Sequence, residues 1–337
     1  MTPAEGGMRI GLIGAGVMAR RHLDVLRRLE GVSVAAVCDA DPARAEAVAG
    51  ETGARSLPDW ETVIGSELVD ALFVCTPPGA HAAPAIAAMG AGLAVYLEKP
   101  LARALDDGDA IAAAWSSSGA VCAVGYQWRS LDLVDRVRAA LAGAPPGLMV
   151  ARSYGPTEPG RRDLEGGSAW FADPAASGGI LFELASHDID LQVALAGAAR
   201  RVQAASAHGL LALARTPESR LDDAVAVTVE FESGAIGLVA VGWNDAAQPP
   251  LYTLDVQAQD VALELVLDPA FTLSGTARGE RVEARSPNPR VTSVERFLAA
   301  ARAGDPAAVA CTPADALLTL RAVLAAEAAI KRCQASA

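Results

Sequence analysis

Residues Arg9-Ile10-Gly11-Leu12-Ile13-Gly14-Ala15-Gly16-Val17-Met18-Ala19 decide the fold. Arg9 to Ile13 reads as a short apolar strand and Val17 to Leu29 as an amphipathic helix, so the glycines fall on a strand-to-helix turn. Gly14 allows a tight turn, Gly16 lets bare backbone approach a phosphate, and Ala19 permits close helix–strand packing. This is the G-x-G-x-x-A form of the dinucleotide fingerprint. The helix opened by Val17 and Met18 offers backbone N–H groups and the positive end of its dipole to a pyrophosphate. Asp39 ends the next strand, 23 residues after Gly16, where an acid binds ribose hydroxyls. Ala40 follows it, with no adjacent arginine, which favours NAD; Arg44 lies close enough in sequence to keep NADP open.

Outward from this turn, strand and helix alternate to about residue 125. Strands are expected at Val32–Cys38, Ala71–Cys75, Leu93–Leu97 and Val121–Val124, and helices at Pro42–Glu51, Ala80–Met89 and Leu105–Ser116. Short continuous apolar strands separated by helices imply a parallel sheet covered on both faces. After a helix at Leu131–Leu141 the pattern changes. Pro145-Pro146-Gly147 punctuates the chain, Leu148–Tyr154 is extended, and a Gly/Pro/Arg-rich loop runs from Gly155 to about Gly167. A helix follows over Gly179–Leu195. From Arg201 strands alternate with turns, including a hairpin of Ala224–Phe231 and Ala235–Val241 about Glu232-Ser233-Gly234. Further strands are expected near Tyr252–Ala258, Val261–Val266 and Arg281–Ala284, and helices at Val291–Ala303 and Pro313–Arg332. The fold class is an α/β domain followed by an α+β domain. Residues 1–7 read as a loose tail, 8–126 as the dinucleotide-binding domain and 127–337 as the substrate and oligomerisation domain, its C-terminal helix packing back towards the first.

Bulk properties agree with two domains: 337 residues exceed one comfortable core. With 52% apolar but only 4% aromatic residues, the core is expected to rest on Ala, Val and Leu. A net charge of −12 argues against nucleic acid or an anionic membrane as a general partner. Cys38, Cys75, Cys122, Cys311 and Cys333 are odd in number and show no CxxC spacing, so neither a disulfide framework nor a zinc site is indicated. There is no signal-like start, and Pro84, Gly90 and Gly92 interrupt the longest apolar stretch, Ala82–Leu97; a cytoplasmic protein is expected.

Three further segments carry chemistry. Cys75-Thr76-Pro77-Pro78 ends the third strand of the alternating series, where Thr76 and the local backbone of Cys75 and Pro77 can meet a dinucleotide crossing the sheet. His81 beyond it either packs and caps or contacts the cofactor. Glu98-Lys99-Pro100 follows an apolar strand, and open α/β sheets bind ligands just beyond their strands' carboxyl ends, so Lys99 sits where chemistry is expected. Pro100 restricts Lys99 to extended backbone and makes a cis peptide possible. In Ser177-Gly178-Gly179-Ile180-Leu181-Phe182-Glu183-Leu184-Ala185-Ser186-His187-Asp188-Ile189-Asp190, helical spacing aligns Glu183, His187 and Asp190, whereas Asp188 points elsewhere. Acids on either side of a histidine can orient its ring for proton transfer. The apolar flanks predict a buried helix.

Taken together, Gly11-to-His22, Cys75-Thr76-Pro77-Pro78, Glu98-Lys99-Pro100, Gly125-Tyr126-Gln127-Trp128-Arg129 and Gly178-to-Asp190 resemble the Gfo/Idh/MocA family of nicotinamide-dependent oxidoreductases in order and spacing. The resemblance covers nearly the whole chain. It implies an N-terminal Rossmann domain and a C-terminal domain on a large open, mostly antiparallel sheet, which forms the interface of a homodimer or homotetramer. It also implies hydride transfer between NAD (or NADP) and a hydroxyl or carbonyl carbon of a sugar, cyclitol or related polyol, with no metal. Lys99 is implied to position or polarise the reacting oxygen, and His187 to act as general acid/base. Glu183, the third catalytic candidate, stands where many members carry aspartate, and Ala185 where many carry glycine. Glu98 and Lys99 join the cofactor contacts, and Gln127 falls where members place an amide near the nicotinamide. Arg129, Arg161, Trp170 and Asp173 are candidates, with Lys99 and His187, for the substrate mouth. Two alternatives share the fold: a glycoside hydrolase that uses NAD transiently, and a non-catalytic NAD-dependent regulator.

Overall fold

A computed structural model describes residues 7–156, 170, 173–208, 221–244 and 250–336. The chain divides into two compact units, one of residues up to Gln127 together with Arg290–Leu317, the other of Trp128–Pro289 with the chain from Leu318 onward.

The first unit is a six-stranded sheet of β1 (Met8–Ile13), β2 (Val32–Cys38), β3 (Arg55–Ser56), β4 (Ala71–Val74), β5 (Ala94–Leu97) and β6 (Cys122–Val124). Every pairing is parallel, in the order β3-β2-β1-β4-β5-β6. Between β1 and β4 the order reverses, which is the switch point where such sheets take ligands. The helices are α1 (Val17–Leu26), α2 (Pro42–Thr52), α3 (Trp60–Gly65), α4 (Ala82–Gly90) and α5 (Leu105–Ser118). Asp41 starts α2 by accepting the Ala43 N–H, with Pro42 in the first turn, and Asp59 caps α3. Neither β3 nor α3 is among the elements expected from sequence, because both are too short for hydrophobic periodicity to reveal.

The sequence places both closing helices in the second domain. Of these, α9 (Pro289–Ala303) instead contributes Val294, Phe297, Leu298 and Ala300 to the core of the first unit. Three aromatics pack there: Phe73 and Tyr96 stack at 4.9 Å, and Phe297 meets each edge-on at 5.5 Å. Tyr96 also shares a hydrogen bond of 2.9 Å with Ser293.

The second unit holds α6 (Asp132–Leu141), α7 (Pro174–Ser177), a π-helical turn (Leu181–Ala185), α8 (Ser186–Ala196) and most of α10 (Pro313–Ser336). Its strands are β7 (Leu148–Pro156), β8 (Ala199–Ala207), β9 (Ala224–Phe231), β10 (Ile236–Asn244), β11 (Leu251–Ala258), β12 (Val261–Asp268), β13 (Thr272–Ala277) and β14 (Glu280–Arg285). They form one sheet in the order β14-β13-β12-β11-β7-β10-β9-β8, antiparallel except where β7 and β10 run parallel. The expected hairpin is present, with Ile236 opposite Glu230. Alternation sets the two faces: Val261, Leu263, Leu265 and Leu267 are buried while Ala262 and Glu264 are exposed. The outward face leaves Leu148, Tyr154, Leu238 and Leu251 exposed. Among the described residues no helix is long and apolar enough to cross a membrane.

Candidate active site

At the switch point of the first unit, Gly14 has φ of +90°, a conformation open to glycine, and a Cβ there would lie 2.8 Å from the Cys75 carbonyl oxygen. A Cβ on Gly16 would meet nothing within 4 Å, so the backbone faces open space that a pyrophosphate can approach. Ala19 is buried, as close packing of α1 on the sheet requires. Asp39 binds the loop itself, its carboxylate accepting the Ala15 N–H at 2.7 Å and the Asp41 N–H at 2.8 Å. Each oxygen keeps a second lone pair for a hydroxyl. These residues fit a dinucleotide: Gly14 to Met18 for the pyrophosphate and Asp39 for the ribose.

Beyond β4, the Thr76 hydroxyl donates to the Ala80 carbonyl at 3.2 Å. Burial, with the Glu98 charge adding to it, pushes the Cys75 thiol well above its ordinary range, so it is no nucleophile. His81 is fully buried, with Nε2 2.9 Å from the Thr76 carbonyl oxygen and Nδ1 3.0 Å from that of Pro100. Its ring clamps the loop after β4 to the loop after β5. Both ring nitrogens face carbonyl oxygens, as the packing role among the two read from the sequence would have it.

Lys99 follows β5 and is half-buried, and its peptide to Pro100 is cis. The side chain of the preceding Glu98 turns inward: it is 5% exposed, with Oε1 2.5 Å from His22 Nε2 and Oε2 accepting the Lys99 N–H at 3.2 Å. Burial pushes the carboxyl up, but hydrogen bonding and charge from His22, with the charges of Lys99 and Arg290, outweigh it and hold Glu98 below its ordinary value. Both oxygens are thus engaged inside the protein, which leaves the Glu98 backbone for the cofactor contact expected from sequence. Gln127, half-buried, opens a short 3₁₀ turn to Ser130.

In the second unit, Gly178 has φ of +74°, and a Cβ there would lie 2.2 Å from the Phe182 ring. The π turn follows and runs straight into α8. His187 is half-buried, its ring 5.0 Å from Trp128, which in turn meets Tyr252 edge-on at 5.7 Å. Asp188 and Asp190 both face the interior. Asp190 receives Arg129 in a fork, Nε at 2.8 Å and Nη2 at 2.9 Å, and the Thr319 hydroxyl at 2.8 Å. Among the described residues Asp188 accepts only the Ser153 hydroxyl, at 2.9 Å, and burial pushes its carboxyl up to about 8.

Two matches with known proteins follow these elements. Residues 8–126 match the oxidoreductase family with an NAD-binding Rossmann fold, and residues 149–276 match the Gfo/Idh/MocA C-terminal domain. The chain belongs to the Gfo/Idh/MocA family. It is 38% identical over 123 residues to the 4-carboxy-2-hydroxymuconate-6-semialdehyde dehydrogenase of Sphingobium, covering 36% of this chain and 39% of that one. It is 28% identical over 267 residues to the scyllo-inositol 2-dehydrogenase (NAD(+)) of Bacillus subtilis, covering 77% and 73%. The first curated relatives are matched over only 33–55% of their own lengths. The WlbA dehydrogenase of Bordetella pertussis, solved with NADH and UDP-GlcNAcA, shares the fold at a TM-score of 0.79 and 20% identity over 98% of this chain and 97% of that one.

The other residues singled out in the sequence of this Gfo/Idh/MocA chain take the following places. Arg129 is 3% exposed and forks onto Asp190, which braces the interior, whereas the sequence reading places it at a substrate mouth. Asp190 in turn is held by Arg129 and Thr319. Asp173 is an exposed cap, accepting the Ala175 N–H at the start of α7. Trp170 and Glu183 are half-buried, and Arg161 lies outside the described residues. Trp128 and Tyr252, which shape the setting of His187, are absent from the sequence-based candidates. Only tertiary pairing reveals them, although Trp128 stands inside a quoted motif. Among the described residues no group of three His, Cys, Asp or Glu side chains could hold a metal ion.

Proposed function

We propose that the protein moves a hydride between NAD and the hydroxyl or carbonyl carbon of a sugar, cyclitol or related polyol. The observation that carries this is the fingerprint turn, in which Gly14 has the required positive φ and the open side of Gly16 is joined to an acid, Asp39, on the next strand. The inositol activity named for one relative and the UDP-sugar bound to another point to the substrate class. NAD is preferred to NADP because the Asp39 carboxylate repels a 2′-phosphate, and Arg44 is paired with Asp41 at 3.3 Å.

The bound dinucleotide supplies or accepts the hydride. His187 takes the hydroxyl proton during oxidation and returns it during reduction, with its ring seated on Trp128. Lys99 hydrogen-bonds the reacting oxygen and offsets the negative charge that builds there. Glu183, four residues before His187 on the π turn, is assigned to the same proton-handling group.

A panel of sugars, cyclitols and their phosphates with NAD and NADP, followed at the reduced-nicotinamide band, tests the reading. Lys99→Met should abolish turnover of the substrate found while NAD binding persists; normal turnover by that variant removes Lys99 from the chemistry. Assembly is part of the same reading: the exposed outward face with Leu148, Tyr154, Leu238 and Leu251 is offered to a second copy of the chain, as a dimer or tetramer. Sedimentation velocity should show an oligomer, and a monomer at working concentration defeats that assignment.

A further inference from the structure

We propose that His22 is a positioning residue for Lys99 and acts through the buried Glu98 carboxylate. The proposal rests on the role given to Lys99 above. His22 lies on α1, three residues past Ala19 of the fingerprint, and is 1% exposed. Its Nε2 meets Glu98 Oε1 at 2.5 Å, and Glu98 Oε2 accepts the backbone N–H of Lys99 at 3.2 Å. One carboxylate therefore ties the nucleotide-binding helix to the residue that carries the amine. Gly125 closes the third side: a Cβ there would come within 3.3 Å of the Lys99 nitrogen and 3.4 Å of Glu98 Oε2.

The pair has no obvious use as mere packing. His22 Nδ1 is buried without a hydrogen-bond partner among the described residues, and the ring lies 5.1 Å from Phe73 and 5.0 Å from Tyr96. An apolar ring would fill that space with no polar atom to desolvate. The imidazole supplies one thing such a ring lacks, an N–H aimed at Glu98. Because that partner is an ionised carboxylate, Nε2 carries the hydrogen whichever protonation state the ring adopts. Without the donor, a buried Glu98 would favour its neutral form, whose oxygen accepts from Lys99 more weakly than a carboxylate oxygen does.

The composition isolates the residue being positioned. Lysine and arginine together number 28, yet only Lys99 and Lys331 are lysines. Lys331 pairs with Glu327 one turn away on α10, at 3.2 Å. Where this chain needs a cation it uses arginine almost everywhere, and at the end of β5 it keeps the compact ammonium.

The scarcity also makes the test clean, because protein grown with isotope-labelled lysine shows two backbone amide peaks, assigned with Lys331→Arg. His22→Phe keeps the ring packing and removes the donor; His22→Gln keeps an N–H. His22→Phe should move the Lys99 peak and leave the Lys331 peak in place. It should lower kcat by about a hundredfold, the scale of a small misplacement of a reacting group, with NAD affinity nearly unchanged. His22→Gln should recover most of the rate and the peak position. An unmoved Lys99 peak with full kcat overturns the proposal, as does a loss of NAD affinity as large as the loss of rate, which would make His22 a support of α1 alone. If His22→Phe does not fold, Glu98→Met, which removes both oxygens, replaces it: a moved Lys99 peak with lowered kcat supports the tether, and an unmoved peak with full kcat overturns it. Turnover by Lys99→Met at the wild-type rate would defeat the catalytic reading of Lys99 but not the tether, which the amide peak reports without turnover.

Discussion

Glu98 and Asp188 occupy matching places in the two units and end in opposite charge states. Each is a buried acid next in sequence to a residue assigned to the chemistry, Glu98 beside Lys99 and Asp188 beside His187. Burial pushes both carboxyls up. Glu98 meets an imidazole and nearby cations, which hold it below the ordinary value; Asp188 meets one serine hydroxyl and rises to about 8. Desolvation has the same sign in both, so the partner decides the charge. The stability consequences run in opposite directions. Glu98 adds stability above the ordinary carboxylate range, and that stability is lost as pH falls through its lowered value. Asp188 takes stability away as pH rises from the ordinary range towards about 8.

Asp190 extends the comparison, because it lies on the same helix as Asp188 yet has a full ionic partner. Removing it with Asp190→Ala strips the Arg129 guanidinium, 3% exposed, of its fork. Breaking a buried pair by removing one member typically costs about 3–5 kcal/mol, and urea unfolding should show a loss of that size. Asp190→Asn should cost less, since an amide oxygen still accepts from Arg129 and Thr319. A loss under about 1 kcal/mol for Asp190→Ala would put the fork in the class of exposed ion pairs and dissolve the contrast with Asp188.

The two units also differ in how much of each is legible in the sequence. The fingerprint is legible because its logic is local: Gly14 needs a positive φ, Gly16 needs bare backbone, and Asp39 follows at the end of the adjacent strand. The same holds for the hairpin about Gly234, whose turn and register are set within a few residues. The segment around His187 is legible as a helix but not as a site. Helical spacing puts Glu183, His187 and Asp190 on one face, but Ser186 and the run from Asp188 to Val193 are all buried, so no polar face exists for the spacing to mark. The π turn over Leu181–Ala185 also breaks the 3.6-residue period between Glu183 and His187. Which acid meets which partner depends on Arg129, Ser153 and Thr319, which lie 61, 35 and 129 residues away in sequence. Periodicity along one helix carries no information about them.

Asp188 offers the finer break of the comparison. Its Oδ2 is buried with no hydrogen-bond partner among the described residues, and no charged group contributes to its shift beyond burial and the Ser153 hydrogen bond. The folded protein therefore holds a proton there that the unfolded chain releases near the ordinary aspartate value of 3.8. Between that value and about 8 the folded state binds the extra proton, so unfolding becomes easier as pH rises, by at most about 1.4 kcal/mol per pH unit from this group, and levels off above. Asp188→Asn keeps an oxygen for the Ser153 hydroxyl and has nothing to ionise. Urea unfolding at several pH values should show the variant with a flatter profile, gaining on the wild type as pH rises and losing that advantage towards pH 4. Parallel profiles would mean that Asp188 is ionised in the folded state and has found a compensating charge, as Glu98 does. The variant then tells the two acids apart by slope alone, whatever it costs in packing.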